Sequence, residues 1–249
     1  MIVLGIETAT RMSSVALGAR EGTIAGRSTA QGRGHVEFLM PAITALCEET
    51  GVQLEHLGAV AVDVGPGLFT GMRVGIATAK TIAQTLTIPL IGVASLDLLA
   101  FGVCYSPKLI VPCIDAKRGE VFAAFYRAVH GGVERESDYT SMAPEDVVAE
   151  VVARREHALL VGDGAPAYQE VFSGVEEIEF ASPVRQHPSA EVLVELAIPR
   201  IEREDFVSPE QLEPLYVRRS DAEIKWEQRG VMIERPNRVK IPKRAREAG

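Results

Sequence analysis

Apolar positions follow two different rhythms along this chain of 249 residues. In residues 2–29 they come in short blocks broken by polar turns. Ile2–Glu7 is an apolar strand, residues 8–13 a polar turn, 14–18 a returning strand, Glu21-Gly22 a second turn, and 23–29 a third strand. This predicts a three-stranded meander. After the loop 31–34 the spacing changes. Val36, Leu39, Met40, Ile43, Leu46 and Cys47 recur at three- and four-residue steps, so the chain should be an amphipathic helix over His35–Thr50. Gly51 ends it, and Pro41 should weaken its first turns. Residues 59–64 read as a buried strand. A loop at 65–71 leads into a helix over 72–86, followed by a strand at Leu90–Val93 and a helix from Ser95 to about residue 103.

Beyond Pro107 the opening rhythm returns. Residues 109–114, 121–126 and 133–139 alternate with turns at Lys117-Arg118-Gly119 and Gly131-Gly132. A helix at 144–153, a strand at Ala158–Val161, a turn at 162–165, a helix at 166–172, a short strand at 177–180 and a helix at 190–204 complete the pattern. The order "meander, helix, strand, helix" therefore occurs twice. It predicts an α/β protein of two similar lobes with a cleft between them: an N-terminal lobe at 1–105, a C-terminal lobe at 106–205 and a C-terminal segment at 206–249.

Composition narrows the function classes. Hydrophobic residues are 47% and charged residues 24%, a globular balance in a chain long enough to bury a core without staples. The net charge is −8 but uneven. Residues 229–249 hold seven Lys and Arg against two acids, a surplus of five, which leaves −13 on residues 1–228. An acidic body repels phosphates, which argues against whole-surface nucleic acid binding; the basic tail could touch RNA or an acidic partner, or be a solvated, mobile terminus. Three cysteines without a Cys-x-x-Cys argue for a reducing compartment. The apolar stretch 87–105 is interrupted by Pro89, Gly92, Asp97 and Gly102, so no membrane span is expected and the protein should be cytoplasmic.

Four features could carry chemistry. The turn Glu7-Thr8-Ala9-Thr10-Arg11 could hold a phosphate with its amides and hydroxyls, or be a polar hairpin turn that bonds to itself. The loop Gly65-Pro66-Gly67-Leu68-Phe69-Thr70-Gly71-Met72-Arg73 opens a helix, where free amides point outward. It fits neither standard phosphate loop: a dinucleotide fingerprint would need Gly where Thr70 stands, and a Walker loop would need Lys after Gly71. His35-Val36-Glu37 lacks a second ligand one helical turn on, since that position is Leu39. There is no Gly-x-Ser-x-Gly elbow. Finally, small residues Gly71, Gly75 and Ala79 lie four apart on the second helix, where a partner helix could approach closely.

These segments together resemble a known family. Ile6-Glu7-Thr8-Ala9-Thr10 with Ser14-Val15-Ala16-Leu17, Gly34-His35-Val36-Glu37-Phe38-Leu39-Met40-Pro41, the loop from Gly65 to Gly75 with Ala79-Lys80, residues 114–122 and Pro214-Leu215-Tyr216-Val217-Arg218 are similar to the motifs of the bacterial YeaZ-type, or TsaB, family. The match spans residues 2 to about 220. The resemblance implies an actin-like, sugar-kinase-like (ASKHA) two-lobe fold. It implies a part in placing threonylcarbamoyladenosine (t6A) beside the anticodon of ANN-decoding tRNAs. In that family the paralogue TsaD is catalytic and holds a metal through a His-x-x-x-His pair; here His35 is followed by Leu39, so the chain resembles the non-catalytic partner. Partners implied are TsaD in a heterodimer, the ATPase TsaE, tRNA through the complex, and a second copy when the chain is alone. No metal or cofactor of its own is implied; ATP at the joint surface is the nucleotide site left open.

Two residue sets follow as expectations. Partner binding falls to the two N-lobe helices through His35, Leu39, Ile43, Leu46, Met72, Gly75, Ile76 and Ala79. The nucleotide-facing loops would comprise Glu7, Thr8, Thr10, Gly65, Gly67, Thr70, Gly71 and Arg73. The readings still open beside the scaffold are an active actin-like ATPase or small-molecule kinase, and a metalloprotease.

Overall fold

A computed structural model describes residues 1–30 and 34–218. The loop residues 31–33 and the basic tail 229–249 lie outside the described residues. β1 (Ile2–Glu7), β2 (Ser13–Ala19) and β3 (Gly22–Thr29) form the expected antiparallel meander. Next come α1 (His35–Thr50), β4 (Leu57–Asp63), α2 (Phe69–Leu86) and β5 (Leu90–Val93). The sheet order is β3-β2-β1-β4-β5, with β1, β4 and β5 parallel. Pro41 sits inside α1, which runs unbroken through it. α2 begins at Phe69, three residues before the sequence pattern suggested.

α3 (Ser95–Phe101) leads to the second sheet. Its strands are β6 (Leu109–Lys117), β7 (Glu120–Ala123), β8 (Tyr126–Val129), β9 (Gly132–Arg135) and β10 (Thr140–Met142). They are followed by α4 (Pro144–Arg154), β11 (Ala158–Val161), the short helices α5 (Gly164–Ala167) and α6 (Gln169–Phe172), and β12 (Ile178–Phe180). The order β10-β7-β6-β11-β12 repeats that of the first sheet position by position. This duplication is the actin-like two-lobe plan. It differs from the sequence reading in one element. The third meander strand is β10, and residues 126–135 form an extra hairpin, β8–β9, hung from β6 at Ile110.

Side chains alternate across β1, and that alternation divides the first lobe's core. Leu4 and Ile6 face α1 and α2, packing with Leu39, Ile43, Leu46, Met72, Ile76 and Ala79. Val3 faces the other way, toward Leu193, Val194 and Ala197 of α7 (Ala190–Glu202). α7 therefore returns to cover the first sheet. Most of α3 packs on the second: Leu96, Leu99 and Ala100, with Val103 just beyond the helix, lie with Ile110, Ile114 and Phe122. Tyr126 and Tyr139 donate their hydroxyls to Asp97 of α3 at 2.6 and 2.8 Å. The expected lobes at 1–105 and 106–205 thus exchange a helix each. The chain crosses between sheets twice, through α3 and through residues 181–189.

Candidate functional site

Parallel pairing aligns Ile6 with Val62, which brings Glu7 and Asp63 together at the carboxyl ends of β1 and β4. In open α/β sheets this is the edge where ligands bind. Both side chains are fully buried. Glu7 Oε1 accepts the Ala9 amide at 2.8 Å, and Oε2 accepts the Ser14 hydroxyl at 3.4 Å. Asp63 Oδ1 accepts the Gly65 amide at 2.7 Å and the Ser95 hydroxyl at 2.6 Å, while Oδ2 has no hydrogen-bond partner. Burial, then the charge of Asp63, raise the Glu7 pKa well above the ordinary carboxyl range. Burial raises that of Asp63 to about 7. The second lobe repeats the placement, with Asp163 Oδ1 accepting the Asp115 amide at 3.1 Å.

The turn after β1 is closed over by protein. Thr8 donates its hydroxyl to the Gly71 carbonyl at 2.8 Å, and the Leu68 amide donates to the Ala9 carbonyl at 2.7 Å. A Cβ on Gly67 would overlap the Ala9 carbonyl, and one on Gly71 the Thr8 carbonyl, so glycine is what lets the loop lie this close. His35 is buried, its Nδ1 sharing a 2.6 Å hydrogen bond with the Ser13 hydroxyl, and burial lowers its pKa. His187 Nδ1 lies 3.1 Å from the Thr10 hydroxyl. Among the residues expected to face a nucleotide, Glu7, Thr8, Thr10, Gly65 and Gly71 are buried in these contacts and Gly67 is half-buried; only Thr70 and Arg73 are exposed. The polar-turn reading is the one the geometry fits.

The partner set needs the same correction. His35, Leu39, Ile43, Leu46, Met72, Gly75, Ile76 and Ala79 are all buried in the isolated chain. Leu39, Ile43, Leu46, Met72, Ile76 and Ala79 pack toward their own sheet, while His35 lines a groove at the start of the helices. The exposed side of the two helices carries other residues: Val36 is 67% exposed, Met40 47% and Phe69 39%. Phe69 stacks on Tyr216 with ring centroids 5.6 Å apart. The Arg73 guanidinium lies 3.8 Å from the Phe69 ring centre, and its Nε donates to the Tyr216 hydroxyl at 3.0 Å. Beside this cluster a groove of about 570 Å³ runs between the starts of the helices, lined by Val36, Leu68, Phe69, Thr70 and Val74. Sequence reasoning passed over Val36, Met40 and Phe69 as functional residues. The signal was present in apolar Val36 and Met40, four apart on the helix side where polar residues belong.

Among the described residues, no group of three His, Cys, Asp or Glu could hold a metal ion, and no helix is long and apolar enough to cross a membrane.

The chain is similar to known proteins. A family model described as TsaD, tRNA N6-adenosine threonylcarbamoyltransferase, matches residues 24–226. The chain is 30% identical over 230 residues to the tRNA threonylcarbamoyladenosine biosynthesis protein TsaB of Bacillus subtilis, across 91% of this chain and 98% of that one. It is 29% identical over 226 residues to the protein of the same name from Escherichia coli, across 89% and 96%. The solved structure of YeaZ from Pseudomonas aeruginosa is similar with a TM-score of 0.76 at 28% identity, covering 86% of this chain and 99% of that one.

Proposed function

The chain belongs to the TsaB, or YeaZ-type, family of tRNA threonylcarbamoyladenosine biosynthesis proteins, and on that premise we propose that it serves the pathway as a non-catalytic subunit. In this reading it holds the transferase TsaD in a heterodimer, TsaE completes the assembly, and tRNA is met through the complex.

One observation carries the reading: the turn where a phosphate would sit is filled. A phosphate loop works through free amide donors around a concavity. Here the Ala9 amide is taken by Glu7, the Ala9 carbonyl by Leu68, and the loop 65–71 lies directly on the turn. Two buried carboxyls beside it would repel a further anion. Nucleotide then belongs at a surface shared with TsaD and not inside this chain. An ATPase or kinase needs this turn open, so that rival loses its central requirement.

The docking surface is the exposed side of α1 and α2. Aromatic residues and Arg are the types enriched at interface centres, and the Phe69–Arg73–Tyr216 cluster holds them preordered beside apolar Val36 and Met40. A stable complex of this kind buries roughly 1,600 Å² in total. Two copies of the chain would use the same face in a twofold pair when TsaD is absent. Titration of TsaD with this chain tests the reading: saturable one-to-one binding supports it, and no binding at tens of micromolar refutes it.

A further inference from the structure

Glu7 and Asp63 lie where three helices begin. The Gly65 amide, bound to Asp63, starts the loop into α2. The Ser95 hydroxyl, bound to the same carboxyl oxygen, opens α3. Ser14 donates its hydroxyl to Glu7 and accepts the Ala190 amide, the first of α7, at 2.9 Å. α3 and the segment before α7 are the two crossings between the sheets. The start of α2 and the two crossings, the hinge between the sheets, are thus tied to a pair of buried carboxyls, through Gly65 and Ser95 directly and through Ala190 by way of Ser14.

We infer that this pair is a proton-operated lock on the hinge: with one proton between them the carboxyls hold the starts of α2, α3 and α7, and losing that proton to solvent base loosens all three. Two adjacent carboxylates without solvent exposure repel each other strongly, because little water screens them. Asp63 Oδ2, buried and unpartnered, tolerates a proton far better than a charge. The upward shifts of both groups agree with this, and such a pair titrates as a unit.

The surrounding charges do not relieve the repulsion. Asp97 of α3 adds negative potential at Asp63. His35 of α1 is buried and bound to Ser13, and its lowered pKa keeps it neutral. His187, before α7, is also shifted down, by burial first and by Arg11 as well, while Asp163 pulls the other way. No cation is among the causes that shift Glu7 or Asp63.

The test is amide hydrogen exchange by NMR on the full chain from pH 6 to pH 9, each rate normalised to its intrinsic value. Protection at Gly65, Ser95 and Ala190 should fall at least tenfold over that range, and by clearly less at Val60 in the middle of β4. Glu7→Gln should flatten the fall at the three helix-start amides; Asp63→Asn serves if that variant does not fold. An equal fall at Val60 would mean global loosening and overturn the proposal, as would an unchanged profile in the variant. The wild-type comparison decides alone if neither variant folds.

Discussion

The main-chain amide of Leu68 donates to the carbonyl of Ala9 at 2.7 Å, joining the loop that starts α2 to the turn that ends β1. One bond thereby links the two segments most reminiscent of a nucleotide site and spends them on each other. The same closure fixes the direction of α2. Its inner side, from Met72 to Ala79, meets β1 and β4, and Phe69 and Arg73 are left outside. Closing the turn and presenting the helix face are consequences of one packing arrangement.

Gly71 is the position where that arrangement has least room. Gly71→Ala would force a Cβ against the Thr8 carbonyl, which is backbone and cannot step aside. The expected cost is ~1–3 kcal/mol of folding stability, the range for overpacking a tight site. Urea unfolding measures it. Arg73→Ala, on the exposed side, should stay within ~0.5 kcal/mol of wild type.

The two sides of α1 should respond in opposite ways to a charge. Ile43→Asp places a carboxylate at a position with no exposure and should abolish folding, seen as loss of the cooperative thermal transition. Met40→Asp should leave the melt unchanged and weaken TsaD binding by at least tenfold in calorimetric titration. Phe69→Ala should cost about 2 kcal/mol of binding, a hot-spot value. A Met40→Asp protein that binds TsaD at wild-type strength would remove α1 from the docking surface.

Stability contributed by the buried carboxyls should fall as the solution becomes less acidic, from about pH 4 to about pH 7. Glu7 and Asp63 have folded-state pKa values above the unfolded ones, so the folded state keeps protons that the unfolded state has released. The stability they contribute is complete below about pH 4, the unfolded carboxyl value, and is lost through the folded value, about 7 for Asp63. His35 and His187 are shifted down and act in the opposite sense as pH drops through about 6.5, inside this window, so the comparison with a variant isolates the carboxyl contribution. Between about pH 4.5 and pH 7 the change of the urea midpoint with pH should be more negative in the wild type than in Asp63→Asn. Equal slopes in the two proteins contradict the assignment.

Much of this fold was legible before the coordinates. The alternation in residues 2–29 and the helical spacing from His35 to Thr50 placed β1, β2, β3 and α1 with small errors, because period is a local property. What failed was non-local. Periodicity marks Leu39, Ile43 and Leu46 as an apolar stripe, but not what covers it; the lobe's own β1 and β2 do. Residues 133–139 looked strand-like, yet their role as third meander strand falls to Thr140–Met142, since pairing with β7 is decided by a contact distant in sequence. The helix expected at 190–204 runs over Ala190–Glu202 and packs on the first sheet, and nothing in its own composition records that Val3 and Ala16 receive it. In the site, the sequence pattern marks the glycines of the 65–71 loop, and that Gly67 and Gly71 lie against the Ala9 and Thr8 carbonyls is a fact of distance that no local pattern records.

The central claim is that the chain supports modification of tRNA without performing it. The direct measurement is reconstitution: anticodon-bearing tRNA and a threonylcarbamoyl donor are incubated with TsaD and TsaE, with this chain omitted, added, or supplied alone, and modified adenosine is quantified. The account predicts product at full rate only when TsaD, TsaE and the chain are together, and none from the chain alone. Modification by the chain alone at the rate of the full assembly would contradict it.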